Sequence, residues 1–289
     1  MQAKELENQI KASLESLARE TDEFKRSEFF REYLTVMRQF HSYSYHNQML
    51  IYLQATSMGF APSRVRGFQQ WNKLNRHVKS GSKAIYILAP FQFKRMVMVK
   101  GENGEEKQEE KTGLWFKPVP VFDVSQTDGA PLPKVSIAIT GDNYRHVLTI
   151  LASFCAEKNI KLEFKDLGIN GLYGYSRVGS VAIDAKSSVN QQVTTLFHEI
   201  AHELIHTKEI RATGDKQTQE IQAEATAHVL AEYYGIETHA NKYLALYDAD
   251  ANKIMENLKT VSSTVKTLIT YIDAQLSTKE TRQIAEAVA

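Results

Sequence analysis

The sequence predicts an α+β protein of two domains, and three observations predict it. Apolar residues recur every three or four positions in the opening segments. Runs rich in β-branched and aromatic residues, separated by turn formers, fill the middle. Beyond a proline-bearing segment at residues 125–134 the helical period returns, with a few short strands between helices. At 289 residues, 43% hydrophobic and 24% charged, the chain is long enough to bury two cores of ordinary size.

Taken in order, Leu6, Ile10, Leu14 and Leu17, then Phe30, Leu34 and Met37, lie on helical stripes and predict two opening helices. The stretch SYHNQMLIYLQA predicts a third, with Ser44 as its N-cap. A short FQQWNKL segment follows. Strands are expected over KAIYILAP and FQFKRMVMVK, a long polar hairpin tip over GENGEEKQEEKTG, and a further strand over LWFKPVPVFDV. The turn formers and two prolines of SQTDGAPLPK mark a linker, which sets the domains at 1–133 and 134–289. In the second, DNYRHVLTILASFCAEKN reads as a helix, and IKLEF, LYGYSR and SVAID as short strands, before three or more further helices.

Composition narrows the function classes. Cys155 is the only cysteine, so no intramolecular disulfide can form, and the charged, amphipathic MQAKELENQIKASLE is unlike a signal sequence. No apolar run approaches the roughly 18 to 20 residues that cross a bilayer. The expected setting is the cytoplasm, with soluble partners and no membrane. The net charge of +1 conceals an asymmetry: residues 1–133 carry 19 Lys and Arg against 15 Asp and Glu, the remainder 16 against 19. Between Glu32 and Glu102 there is no carboxylate at all, while ten Lys and Arg fall from Arg38 to Lys100.

The stretch TLFHEIAHELIH, residues 195–206, carries the sharpest signal. Val193, Leu196, Phe197, Ile200, Ala201, Leu204 and Ile205 form one apolar stripe at the 3.6-residue period, so the segment is an amphipathic helix. His198 and His202 stand one turn apart on the other side, spaced to bind one zinc ion. Glu199, beside them, supplies what the histidines cannot: a base that takes a proton from the attacking water and returns it to the leaving amine. A catalytic zinc takes three protein ligands, and His206, two turns beyond His198 and about 12 Å along the axis, is too far to share the ion. The longer metzincin pattern, with a glycine turn before its third histidine, is absent. The third ligand is therefore sought in QTQEIQAEATAHVLAEYYG, where Glu220 and Glu224 are one turn apart. One can bind the metal and the other can orient a ligating histidine from behind.

HEIAH followed by EIQAEATAHVLAEYYGI resembles the HExxH...E metallopeptidases of the ImmA/IrrE and ArdC kind, which have a zincin-like domain. That resemblance implies Glu220 as the third ligand of a Zn2+ ion and Glu224 as the residue behind a ligand. HANKYLALY is similar to a His-Ala-x-Tyr helix of ArdC-like proteins and makes Tyr243 a candidate for stabilising an oxyanion.

The basic block also holds eleven aromatic residues between positions 33 and 101. Lysine and arginine neutralise phosphates while exposed rings stack on unpaired bases, the chemistry of single-stranded nucleic acid binding. YSYHNQMLIYLQ, GFQQWNKLNRHVKSGSKAIYILAP and VFDVSQTDG resemble the N-terminal domain of ArdC-type antirestriction proteins, a single-stranded DNA-binding module. From charge and position, Arg64, Arg66, Lys73, Arg76, Lys79 and Lys83 are expected on phosphates, and Tyr43, Tyr45 and Trp71 on bases. The combined expectation is a single-stranded DNA-binding antirestriction protein of mobile DNA with a zinc metallopeptidase-like domain acting on a protein or peptide. Two other readings use the same residues: a zinc endopeptidase recruited by DNA to a DNA-bound protein, and a non-catalytic protein that coats DNA around a structural metal.

Overall fold

The computed structural model describes residues 2–20, 23–100, 106–132, 144–169, 171–236 and 250–288. It confirms the α+β class. The chain forms two compact units, one made of Met1–Ala12 with Met49–Leu132 and the other of Ser13–Gln48 with Pro133–Ala289.

The opening stripes fold as predicted. Helix α1 (Ala3–Arg19) buries Leu6, Ile10, Leu14 and Leu17, and α2 (Glu23–Gln39) buries Phe30, Tyr33, Leu34 and Met37. Helix α3 (Tyr45–Ser57) begins at Ser44, whose Oγ accepts from Asn47 N at 3.4 Å.

The first unit is built on a long hairpin. Strand β1 (Val65–Arg66), helix α4 (Phe68–Lys73) and strand β2 (Arg76–Val78) precede β3 (Ile85–Lys100) and β4 (Glu106–Asp123); β5 (Thr127–Gly129) closes the unit. β1, β4 and β3 form one antiparallel sheet in that order, and β2 pairs with β5. The register of β3 and β4 sets Ile85 against Val121 and Phe91 against Trp115. At the base of the hairpin Ile85, Ile87 and Val121 are core. Further out the same strand face carries Phe93, whose ring lies over Gly113 where any Cβ would collide with it. The polar tip expected at 101–113 is shorter than the sequence suggests, because residues 106–113 are rungs of β4. Alternating polar residues need no core to pair as strands, and here Lys94 and Glu110 add a 2.6 Å ion pair across the ladder.

The second unit places a small sheet against helices. Helix α5 (Tyr144–Glu157) leads to β6 (Lys161–Lys165), β7 (Gly174–Arg177) and β8 (Ser180–Asp184), then to α6 (Val189–Ile205), α7 (Lys208–Thr213), α8 (Lys216–Tyr233) and α9 (Ala251–Val288). The strand order is β6-β8-β7, with β6 parallel and β7 antiparallel to the central strand. Helix α9 buries Ile254, Leu258, Val261, Val265, Leu268, Ile269 and Ile272, a helical stripe that packs on α5, α6 and α8. The returning α2 also lies on α8, where Arg38 meets Glu232 at 3.1 Å.

Candidate metal centre

Helix α6 starts at Ser188, whose side chain accepts from Gln191 N, and turns Val193, Leu196, Phe197, Ile200 and Ala201 into the core. That rotation sends His198 and His202 toward α8. Asp215 caps α8 by accepting from Gln217 N at 3.2 Å and Thr218 N at 3.0 Å, and α8 then returns Glu220 to both histidines and Glu224 to His198. The facing imidazole nitrogens, His198 Nε2 and His202 Nε2, are 3.0 Å apart. Glu220 reaches both, at 3.4 Å from His198 Nε2 and 3.5 Å from His202 Nε2. One donor atom from each of His198, His202 and Glu220 falls within 4.8 Å of the others, which suits a single ion with two nitrogen ligands and one oxygen. Glu224 meets the far side of His198, with Oε2 at 3.2 Å from Nδ1.

The charges of this cluster are strongly coupled. Burial pushes the His198 imidazole down, but hydrogen bonds to Glu220 and Glu224 outweigh it and hold the ring at about 9. The same contacts from His198 and His202 hold the Glu220 carboxyl well below the usual carboxylate range. Glu199 differs: burial raises it. It is 7% exposed.

Strand β7 lies directly against α6, and Gly174 makes this possible, since a Cβ there would lie 2.6 Å from Thr195 Cγ2. Two clefts, of about 550 and 510 Å³, open beside His198 and Glu199, and Gly174 lines both. Among the described residues β7 is the edge strand of its sheet. Arg211 holds the far end of the strand: its guanidinium donates to Ser176 O at 3.3 Å and to Glu203 Oε1 at 2.6 Å. Tyr243 lies outside the described residues.

The candidate DNA-contact residues are divided between the two units. Arg64, Arg66, Lys73, Arg76, Lys79, Lys83 and Trp71 belong to the first unit, Tyr43 and Tyr45 to the second. Arg66, Lys73 and Lys83 are exposed and Arg64 half-buried, and among the described residues none of the four makes an ion pair. Arg76 is a correction. Its guanidinium donates to Thr127 Oγ1 at 2.8 Å, Thr127 O at 2.9 Å and Ala130 O at 2.5 Å, so it is occupied in holding β5. Lys79 donates to Ser125 O at 3.0 Å and stays partly exposed. Trp71 and Tyr45 are also corrections, being 0% and 5% exposed. Trp71 donates its indole N–H to Phe122 O at 2.9 Å and has no face for a base. Tyr43 is half-buried, edge-on to Phe40. In the first unit rings face solvent on α4, where Phe68 is 53% exposed, and on the hairpin, where Phe91 is 48% and Trp115 65% exposed, opposite one another, with Lys117 Nζ 4.8 Å above the Phe91 ring. Alternation along FQFKRM contains that signal for Phe91, because a half-buried strand should not carry large rings at successive core-face positions beyond its own core.

A helix bearing HEIAH, a second helix returning a carboxylate, and an edge strand alongside define the second unit as a peptidase-like domain. Residues 155–259 match the family model of the IrrE N-terminal-like domain, and residues 1–122 match that of the N-terminal domain of anti-restriction factor ArdC. The chain is therefore similar to ArdC-like proteins, with a first part matching an antirestriction-type N-terminal domain and a later part matching a peptidase-like one. It is 26% identical over 298 aligned positions to an uncharacterized protein of Bacillus anthracis, an alignment covering 89% of this chain and 50% of that protein. The chain thus spans about half the length of this curated relative. Among solved structures it is similar to the metal-free crystal structure of antirestriction ArdC protein from R388 plasmid, with TM-score 0.45 and 16% identity over 80% of this chain and 86% of that one. The Mn(II)-bound structure of that protein gives TM-score 0.44 and 15% identity over 83% and 97%.

Proposed function

We propose that the protein is a single-stranded DNA-binding antirestriction protein whose second unit is a zinc-dependent peptidase. The observation that carries the peptidase reading is the convergence of His198, His202 and Glu220 within 4.8 Å beside a buried glutamate. Two imidazoles and a carboxylate are the donor set of a catalytic zinc with an open position, and the ion would supply a Lewis acid for the scissile carbonyl. Glu199 acts as the base. Its raised pKa brings it toward the range where a carboxylate both takes a proton from water and gives it back to a leaving amine. Strand β7 orients the substrate, since an extended peptide can pair with the edge strand and lay its backbone along the cleft. A metal held only for structure would leave the buried Glu199 without work.

The DNA reading rests on the carboxylate-free block and on where its cations lie. Arg64, Arg66, Lys73 and Lys83 contact phosphates, with Lys79 beside them, while Phe91 and Trp115 on the hairpin stack on bases in place of Trp71 and Tyr45. Protection of incoming mobile DNA against restriction follows from that binding and from the antirestriction family of the N-terminal domain. The decisive experiment measures zinc content and peptide cleavage of purified protein with and without single-stranded DNA. Zinc-free preparations that cannot be loaded, or a loaded protein that cleaves no peptide or protein in either condition, would refute the peptidase reading.

A further inference from the structure

Behind His202 the chain continues a run of hydrogen bonds for which the peptidase reading has no use. His202 Nδ1 lies 2.9 Å from His206 Nδ1, His206 Nε2 lies 2.9 Å from Gln222 Oε1, and Gln222 Nε2 lies 2.6 Å from Asn257 Oδ1. The participants come from α6 and the residue that ends it, from α8, and from the first turns of α9. His202, His206 and Asn257 are 8%, 2% and 8% exposed, so water competes little for these atoms.

The sense of this run follows from counting protons. A neutral imidazole donates at one nitrogen and accepts at the other. For His202 to present a lone pair at Nε2, its proton sits on Nδ1 and needs an acceptor. His206 Nδ1 is in reach, so His206 carries its own proton on Nε2 and donates it to the Gln222 carbonyl oxygen. The Gln222 amide then donates to Asn257 Oδ1. Turning the Gln222 amide over reverses every step. The amide would donate to His206 Nε2, His206 would donate from Nδ1 to His202 Nδ1, and the proton of His202 would move to Nε2, where it blocks a metal. The run has one metal-competent sense and one closed sense, and the Gln222–Asn257 pair sets which is present.

We propose that His206, Gln222 and Asn257 are positioning residues that hold His202 in the tautomer with Nε2 free, so that helix α9 helps set the metal affinity of a site it does not touch. The inference rests on the reading of His198, His202 and Glu220 as metal ligands. It separates the supports of the two rings: His198 leans on a carboxylate, Glu224, whereas His202 leans on a neutral relay whose direction can be reversed.

The test compares full-length variants by competition with a chromophoric chelator for Zn2+, and by nitrogen NMR of the His202 tautomer in metal-free protein at a pH where its imidazole is neutral. His206→Phe removes the acceptor of His202 Nδ1–H and should weaken zinc binding about tenfold or more, while Gln222→Met removes the acceptor of His206 Nε2–H and should weaken it severalfold, in proportion to the competent tautomer lost. Gln222→Glu can only accept from His206, enforces the competent sense and should keep wild-type affinity. The NMR signal should report the Nδ1–H tautomer in wild type and Gln222→Glu and a mixture in Gln222→Met, a change that loss of packing alone would not produce. If His206→Phe fails to fold, the Gln222 pair decides. Unchanged affinity and tautomer in Gln222→Met, with metal lost in His198→Ala, would overturn this inference alone. A wild-type protein that binds no zinc would instead overturn the metal reading beneath it.

Discussion

His198 and Glu224 are joined by a 3.2 Å contact between Nδ1 and Oε2, while the opposite nitrogen of the same ring faces Glu220. The two carboxylates, one turn apart on α8, thus serve different nitrogens, and their removal should have unequal effects. Glu220→Gln deletes a donor and should leave the purified protein nearly free of zinc. Glu224→Gln keeps all three donors and should weaken binding about ten- to hundredfold. His206→Ala should leave the stoichiometry unchanged while lowering affinity. Metal analysis after dialysis checks all three, and the reverse order for the glutamates would exchange their roles.

The proton shared around His198 makes metal binding depend on pH. Its folded-state pKa of about 9 lies above the ordinary 6.5, so in metal-free protein the charged ring contributes stability fully below about 6.5, and that contribution is lost as pH rises through 9. Metal affinity runs the other way. An ion must displace the proton, so affinity should rise about tenfold per pH unit below 9 and level off above it. Zinc titrations from pH 6.5 to 9.5, beside melting curves of metal-free protein, measure both trends, and a flat affinity profile would remove His198 from the ligand set.

Glu199→Gln separates catalysis from binding. Glutamine fills the same volume but cannot accept the proton, so peptide cleavage should fall by roughly 10² to 10⁴-fold with zinc content and DNA affinity unchanged. If protection of transferred DNA falls with it, proteolysis is the means of protection. Full protection by this variant would assign that role to DNA binding, and full cleavage by it would overturn the mechanism.

On the hairpin, Trp115→Ala or Phe91→Ala should cost about 1 to 3 kcal/mol of single-stranded DNA affinity with little change in its salt dependence. Replacing Arg64, Arg66, Lys73 and Lys83 together by glutamine should instead flatten the salt slope by several units. Binding titrations over a salt series distinguish the two. Wild-type affinity in both variants would move the DNA site elsewhere.

Trp71→Ala tests the opposite assignment. This ring is fully enclosed and donates to Phe122 O, so its truncation should destabilise the protein by about 3 to 5 kcal/mol, visible in a denaturant melt. A variant as stable as wild type, with DNA affinity lost, would restore Trp71 to the binding surface.

Periodicity alone determined much of this protein. The stripes of α1, α2 and α6 needed only the 3.6-residue repeat, and the pairings of His198 with His202 and of Glu220 with Glu224 needed only one helical turn, because both are local properties of backbone geometry. The family motifs likewise lie in contiguous stretches. Tertiary structure decided the rest. That Glu220 faces both imidazoles and Glu224 only the back of one depends on the phase between α6 and α8, which packing sets at long range. His206 was legible as too distant for the metal, but its place in a relay to Asn257 depends on α9 arriving beside α8. The aromatic residues of the first unit could not be sorted in one dimension either. Trp71 and Trp115 are chemically identical, and only the depth of the first under the sheet and the reach of the hairpin beyond its core make one a structural ring and the other a surface.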